Sequence, residues 1–65
     1  MNALPPGLQS CVEAICAEGC THVREVIRRL HENRPPAELA RLDAESRRLV
    51  RQELEAIMAV YDARP

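Results

Sequence analysis

Four residues that could bind a metal or act as nucleophiles fall close together near the start of the sequence. They are three cysteines and a histidine in the pattern C-x4-C-x3-C-x-H: Cys11, Cys16, Cys20 and His22. Zinc prefers thiolate and imidazole ligands, but structural sites usually take closely spaced pairs on turns. On a helix Cys11 and Cys16 lie about 140° apart around the axis and cannot easily chelate one ion together. We therefore expect no metal and no other cofactor, and interpret these two cysteines as small core residues.

The remaining members of this cluster have more exposed predicted positions. Cys20 falls where a second helix is predicted to begin, a location that favours thiol reactivity, so it is a candidate reactive thiol. His22 and Glu25 are three residues apart and could form a general acid–base pair. No nucleophile elbow, phosphate loop or pair of carboxylates accompanies them in the sequence. We expect His22 to be a surface residue and the chain not to be an enzyme.

Three apolar stripes at helical spacing must position these groups. Each repeats as i, i+3 or i+4, i+7, which places one side of a helix against a core. The pattern predicts an all-α fold, a compact three-helix domain whose core includes Ile27 and Leu54 on facing helices. The stripes are Leu8, Cys11, Val12, Ile15 and Cys16; Val23, Val26, Ile27 and Leu30; and Val50, Leu54, Ile57, Met58 and Tyr61.

Stop and start signals divide the chain between the first two predicted helices. Helix one is predicted from about Pro6 to Glu18, since proline suits a first helical turn. Gly19 then serves as a left-handed cap. Thr21 is the predicted N-cap of helix two, which carries the residues from Val23 to about His31.

The second half of the chain contains one long helix. Pro35 and Pro36 end helix two, and 36–41 could form a short helical turn. Asp43 is the predicted N-cap of helix three, which runs from about Ala44 to Asp62. The single domain covers 1–65, with 1–5 and 63–65 predicted to fray.

Size and charge restrict the classes of partner. The chain has 65 residues with a net charge of −1, no Phe and no Trp, so its core is thin and association with a partner would stabilise it. It has no stretch of the roughly 18 apolar residues that span a membrane and no signal peptide at its start. The odd number of cysteines argues against a disulfide framework. We expect a cytoplasmic protein that does not bind membranes.

The predicted third helix is apolar over more of its circumference than one neighbouring helix requires. Leu49, Ala56 and Val60 lie roughly 80–120° from the core stripe, with Glu53 between. We interpret this second face as an exposed or shared surface, flanked by arginines that would pair with Glu53 and Glu55 of another copy. It indicates a protein partner or a homodimer, and self-association or protein binding is the leading functional expectation.

The alternative function is DNA binding. Helix one, the glycine turn and helix two resemble a helix-turn-helix over about twenty residues. With Gly19 as the turn residue, Ile15 and Glu25 depart from the family pattern; with Cys20 there, Cys16 and Val26 satisfy it but the glycine is lost. The resemblance implies a small DNA-binding regulator with contacts from His22, Arg24 and Arg28. The absence of a basic excess disfavours a nucleic-acid partner.

The arginines fall into two groups that an anion could bind. All nine basic residues are arginine. We expect them to form a solvated surface held by pairs along each helix rather than a nucleic-acid face. The groups are Arg24, Arg28, Arg29 and Arg34, and Arg47, Arg48 and Arg51; the predicted pairs are Glu25/Arg29, Glu45/Arg48 and Arg51/Glu55.

Overall fold

The computed structural model describes residues 4–62 of the chain. Within this range the chain forms α1 (Pro6–Ala17), α2 (Cys20–His31), a 3-10 turn (Ala37–Leu39) and α3 (Ala44–Asp62). The predicted all-α domain of three helices, with a short turn before the long last one, is confirmed.

The predicted ends of the chain are only partly within the described range. Residues 1–3 and 63–65 lie outside it. Leu4 is half-buried and packs against the core. The Pro5 carbonyl accepts hydrogen bonds from the amides of Leu8 and Gln9, and Pro5 is the N-cap of α1.

A glycine separates α1 from α2. Gly19 has φ +102°, a backbone conformation that L side chains rarely adopt. Its carbonyl accepts the Val23 amide at 3.1 Å, and no side chain caps the helix. The positive φ predicted at Gly19 is therefore present, but Gly19 itself is the N-cap of α2. The prediction of Thr21 as the cap is wrong, because α2 already begins at Cys20.

An asparagine in the left-handed backbone conformation ends α2. Asn33 has φ 59°. Its amide bonds the Leu30 carbonyl at 3.2 Å, and the next amide, of Arg34, bonds the Arg29 carbonyl at 2.9 Å. This is the Schellman arrangement, which satisfies the free carbonyls at a helix end. The two prolines that follow prevent the helix from continuing.

Asp43 starts α3 as predicted. Its Oδ1 accepts the Ser46 amide at 2.8 Å, and its carbonyl accepts the Arg47 amide at 3.0 Å. Hydrogen bonds from Ser46 lower the pKa of the Asp43 carboxyl below its usual value, because they favour the charged form.

The core lies where all three helices and the 3-10 turn meet. Ile15, Val26, Val50 and Leu54 are almost fully buried, and Leu39 brings the 3-10 turn onto them. The remaining buried apolar residues are Leu8, Val12, Val23 and Met58.

Six residues of the predicted core stripes are more exposed than expected: Cys11, Cys16, Ile27, Leu30 and Ile57 are half-buried, and Tyr61 is exposed. Tyr61 continues the α3 stripe but is 55% exposed. Ile27 is only half-buried at the edge of the core, whereas Leu54 is fully buried as predicted. Within residues 4–62, none of the helices combines the length and the apolar character that a membrane crossing requires.

Candidate functional site

The last turns of α3 are apolar on every side. Residues 56–61 read Ala-Ile-Met-Ala-Val-Tyr, and at about 100° per residue these six surround the helix axis. Met58 is buried in the core, but Val60 is 64% exposed and Tyr61 55% exposed. Ala56 and Ala59 are also exposed. We refer to residues 56–61 as the apolar end of α3.

The residues of the surface predicted on the far side of α3 differ in exposure. Ala56 and Val60 are exposed, as expected for a shared surface. Leu49 is instead half-buried and packs against the core. Glu53 is half-buried and lies close enough to Cys16 for its charge to raise the pKa of that thiol.

A groove of about 410 Å³ lies between α2 and α3 beside the apolar end. Ile27, Met58 and Ala59 line it with apolar surface. Its walls carry charges of opposite sign, with arginines on α2 and carboxylates on α3. The four charged residues are Arg24, Arg28, Glu55 and Asp62.

One ion pair crosses the groove from wall to wall. The Arg24 guanidinium donates to both carboxylate oxygens of Asp62, at 2.6 and 3.4 Å. This contact holds the pKa of the Asp62 carboxyl below its usual range and raises the pKa of Arg24. Both side chains are more than half exposed, so the pair contributes little free energy to the fold and mainly sets how the two groove walls are positioned.

The other two wall residues have partners on their own side or nearby. Arg28 bonds Glu25, and its Nη1 lies 2.9 Å from Glu32. The Arg28 contact lowers the pKa of Glu25. Glu55 accepts from Arg51 at 3.1 Å and lies 2.5 Å from Nε2 of His31, which ties α2 to α3.

The three predicted nucleic-acid contacts do not share one face. On α2, Arg24 and Arg28 lie on the groove side and both pair with carboxylates. His22 is about 160° away around the helix from Arg24, and its Nε2 lies 3.5 Å from Glu38 Oε2 beside the 3-10 turn. Arginines that already form ion pairs with carboxylates gain less free energy by binding phosphates, so this arrangement does not favour DNA binding.

A smaller cleft of about 190 Å³ lies between the end of α2 and the start of α3. The three arginines of the second group named in the sequence analysis line it beside Leu30 and Pro35. Each of the three already donates to an acceptor of this chain. The contacts are Arg47 with the Leu42 carbonyl, Arg48 with Glu45 at 2.6 Å, and Arg51 with Glu55 at 3.1 Å.

The predicted helix-surface pairs have two outcomes. Glu45/Arg48 and Arg51/Glu55 are present. Glu25 pairs with Arg28 instead of Arg29, because Arg29 Nε donates to the Arg34 carbonyl at 3.0 Å in the turn after α2. The predicted pairing of flanking arginines with Glu53 and Glu55 of another copy stays a prediction; within this chain Arg48 pairs with Glu45 and Arg51 with Glu55.

The three cysteine side chains differ in their exposure to solvent. Cys20 is exposed at the first residue of α2, whereas Cys11 and Cys16 are half-buried. Burial raises the pKa of the Cys16 thiol, and the neighbouring Cys20 and Glu53 raise it further. Among residues 4–62, no three side chains of the kinds that ligate metals converge on one point.

Sequence reasoning missed the groove. It placed Ile27 in the core and gave Arg24 no partner, although Asp62 lies 38 positions away in the sequence and directly across the groove. The run of six apolar residues at 56–61 was the signal that this end of α3 is unusual. No protein-family model matches the sequence, and no curated protein or solved structure matches it either.

Proposed function

We propose that this chain is a small helical protein-interaction domain that associates with a second copy of itself through the apolar end of α3. The observation that carries the proposal is the exposure of Val60 and Tyr61, at 64% and 55%, on a helix end that is apolar all round. A helix of that composition is normally buried. Exposed apolar surface of this kind usually marks a contact with another protein.

The size of the chain supports the same reading. Nine apolar residues make up the buried core of the described range, and none of them is aromatic. A domain near the lower size limit has little stability to spare, so covering further apolar surface by association would be a substantial gain. The proposed role is binding rather than catalysis.

Solution mass tests this proposal directly. Light scattering or sedimentation across a wide concentration range should give a parent mass that rises from one copy to two. The double variant Ala59→Glu with Val60→Glu should remain a monomer with unchanged helical circular dichroism, because it places charge on both exposed sides of the apolar end.

The matched control is the double variant Ala14→Glu with Ala17→Glu, which adds the same two charges at exposed positions of α1. It should associate like the parent. A parent that stays monomeric at every concentration, or a double variant that associates as the parent does, would contradict the proposal. Titration into labelled duplex DNA tests the alternative function, since only a DNA-binding protein would give affinity that falls steeply with salt.

A further inference from the structure

The groove between α2 and α3 has a charge pattern that selects one kind of partner. Its α2 wall is basic, with Arg24 and Arg28, and its α3 wall is acidic, with Glu55 and Asp62. Its floor of Ile27, Met58 and Ala59 is apolar. A partner that fits must therefore present apolar surface between an acidic and a basic ridge, in the mirrored order.

A second copy of this chain meets that requirement in one of two symmetric arrangements. If the two-fold axis runs along the groove, the basic α2 wall of each copy faces the acidic α3 wall of the other. If the axis runs across the groove, α2 faces α2 and arginines face arginines. Like charges at an interface are unfavourable, so the charges select the first arrangement.

The positions of the charged residues along the groove axis also agree with this arrangement. Arg24 and Asp62 are in contact, so they lie at the same level, and rotation about the groove axis keeps that level. Arg24 then faces Asp62 of the second copy. Glu55 lies at the level of His31, which it contacts, and Arg28 lies between these two levels. Its long side chain can therefore reach either carboxylate of the second copy.

We infer that two copies pair groove to groove about a two-fold axis parallel to the groove. The α2 and α3 helices of one copy then pack as a layer against α2 and α3 of the other. This inference rests on the proposed function and names its interface. Ile27 and Ala59 of each copy then cover the same residues of the other, as in bundles built from two helix pairs. Each Asp62 lies between two guanidiniums, and an arginine has enough donors to serve two carboxylates.

The outer face of α3 fits a second copy less well. Ala56 and Val60 are exposed there, but the charged residues on the same side of the helix are Glu45 and Glu53, both acidic. Glu45 pairs with Arg48 of its own chain at 2.6 Å, so the charges on that face do not form the opposed basic and acidic walls that a second copy could complement. The groove is therefore the better surface for self-association.

Charge reversal on opposite walls tests the arrangement with single substitutions. Arg24→Glu places carboxylates at positions 24 and 62 on the two walls, and Asp62→Arg places guanidiniums there, while Arg28 and Glu55 are unchanged. Each variant alone should dimerise about tenfold more weakly than the parent or worse, because both wall contacts become repulsive. An equimolar mixture of the two should form a one-to-one heterodimer more tightly than either variant forms a homodimer, since both facing pairs between the copies then join opposite charges.

The control and the opposing outcomes separate this inference from the proposed function. Ala14→Glu should dimerise like the parent, because Ala14 is exposed on α1 and lies outside the groove lining. If Val60→Glu is monomeric while the single wall variants dimerise normally, the outer face is the contact and the groove inference is wrong, although self-association stands. A mixture that fails to form heterodimers also overturns the inference. A monomeric parent overturns both. Circular dichroism verifies that each variant is folded.

Discussion

Leu54→Ala should remove a large part of the stability of this domain. Leu54 is fully buried in α3 and belongs to the core shared by all three helices. The change deletes three carbon atoms, worth roughly 2.4 kcal/mol at about 0.8 kcal/mol for each buried group. The cavity that remains adds to this, so we expect a loss of about 3 kcal/mol.

That loss is large compared with the stability expected for a chain of this length. At about 0.05–0.15 kcal/mol per residue, the whole domain has roughly 3–10 kcal/mol. For domains of this size each kcal/mol lowers Tm by about 4–8 °C, so Leu54→Ala should lower it by roughly 12–24 °C. Thermal and urea unfolding, followed by helical circular dichroism, would measure both quantities at one fixed protein concentration.

Two further variants bracket this prediction. Ile27→Ala should cost less than Leu54→Ala, because Ile27 is only half-buried in the single chain. Ile15→Val deletes one carbon at a site that is 1% exposed and should cost about 1 kcal/mol, so it remains measurable if Leu54→Ala does not fold. A Leu54→Ala variant that melts within a few degrees of the parent would refute the core assignment.

Three other predictions concern turns, acid and thiols. Gly7→Ala should raise the free energy of unfolding by about 0.4–1 kcal/mol, because this helical glycine has open space for a methyl group. Gly19→Ala should lower it, because φ at Gly19 is +102°. The melting temperatures of the two variants test both predictions. Because the pKa of Asp43 is lowered in the fold, the stabilisation by its carboxylate is present above about pH 4 and is lost as pH falls through the folded-state pKa. Asp43→Asn keeps a cap that does not titrate, so the Tm of this variant should fall less in acid than the Tm of the parent. Cys20 should react with a thiol reagent faster than Cys16, whose pKa is raised by burial, and mass spectrometry of partly labelled protein would identify the site; equal rates would contradict the exposure of Cys20.

Local signals in the sequence were sufficient for most of the helix boundaries. The start of α3 follows from Asp43, because a side-chain cap acts within one helical turn of itself. The start of α2 was harder, since Gly19 and Thr21 are both acceptable caps and the choice depends on how α1 ends. The partner of Glu25 was also ambiguous, because residues three and four positions ahead are both in reach on a helix.

Contacts between helices could not be obtained from the periodicity. An apolar stripe gives the side of a helix that faces the core, but not how far along the helix its neighbours extend. Tyr61 continues the α3 stripe, and α2 extends to its level because Arg24 contacts Asp62, yet the Tyr61 side chain is 55% exposed. The groove depends on the distance between α2 and α3 and on the rotation of each, which no local pattern specifies.

The end of α3 is where local sequence preference and the single-chain fold disagree. By composition, Val60 and Tyr61 belong in a core, but the described part of the chain leaves more than half of each side chain in water. Elsewhere the same chain follows the local rules closely, with a capped α3, a Schellman turn after α2 and paired charges along the helices. Such disagreements are expected at functional surfaces, where stability of the isolated chain is not the only requirement. A second copy, placed by the opposite charges of the groove walls, would supply apolar cover to the part of this helix end that faces the groove.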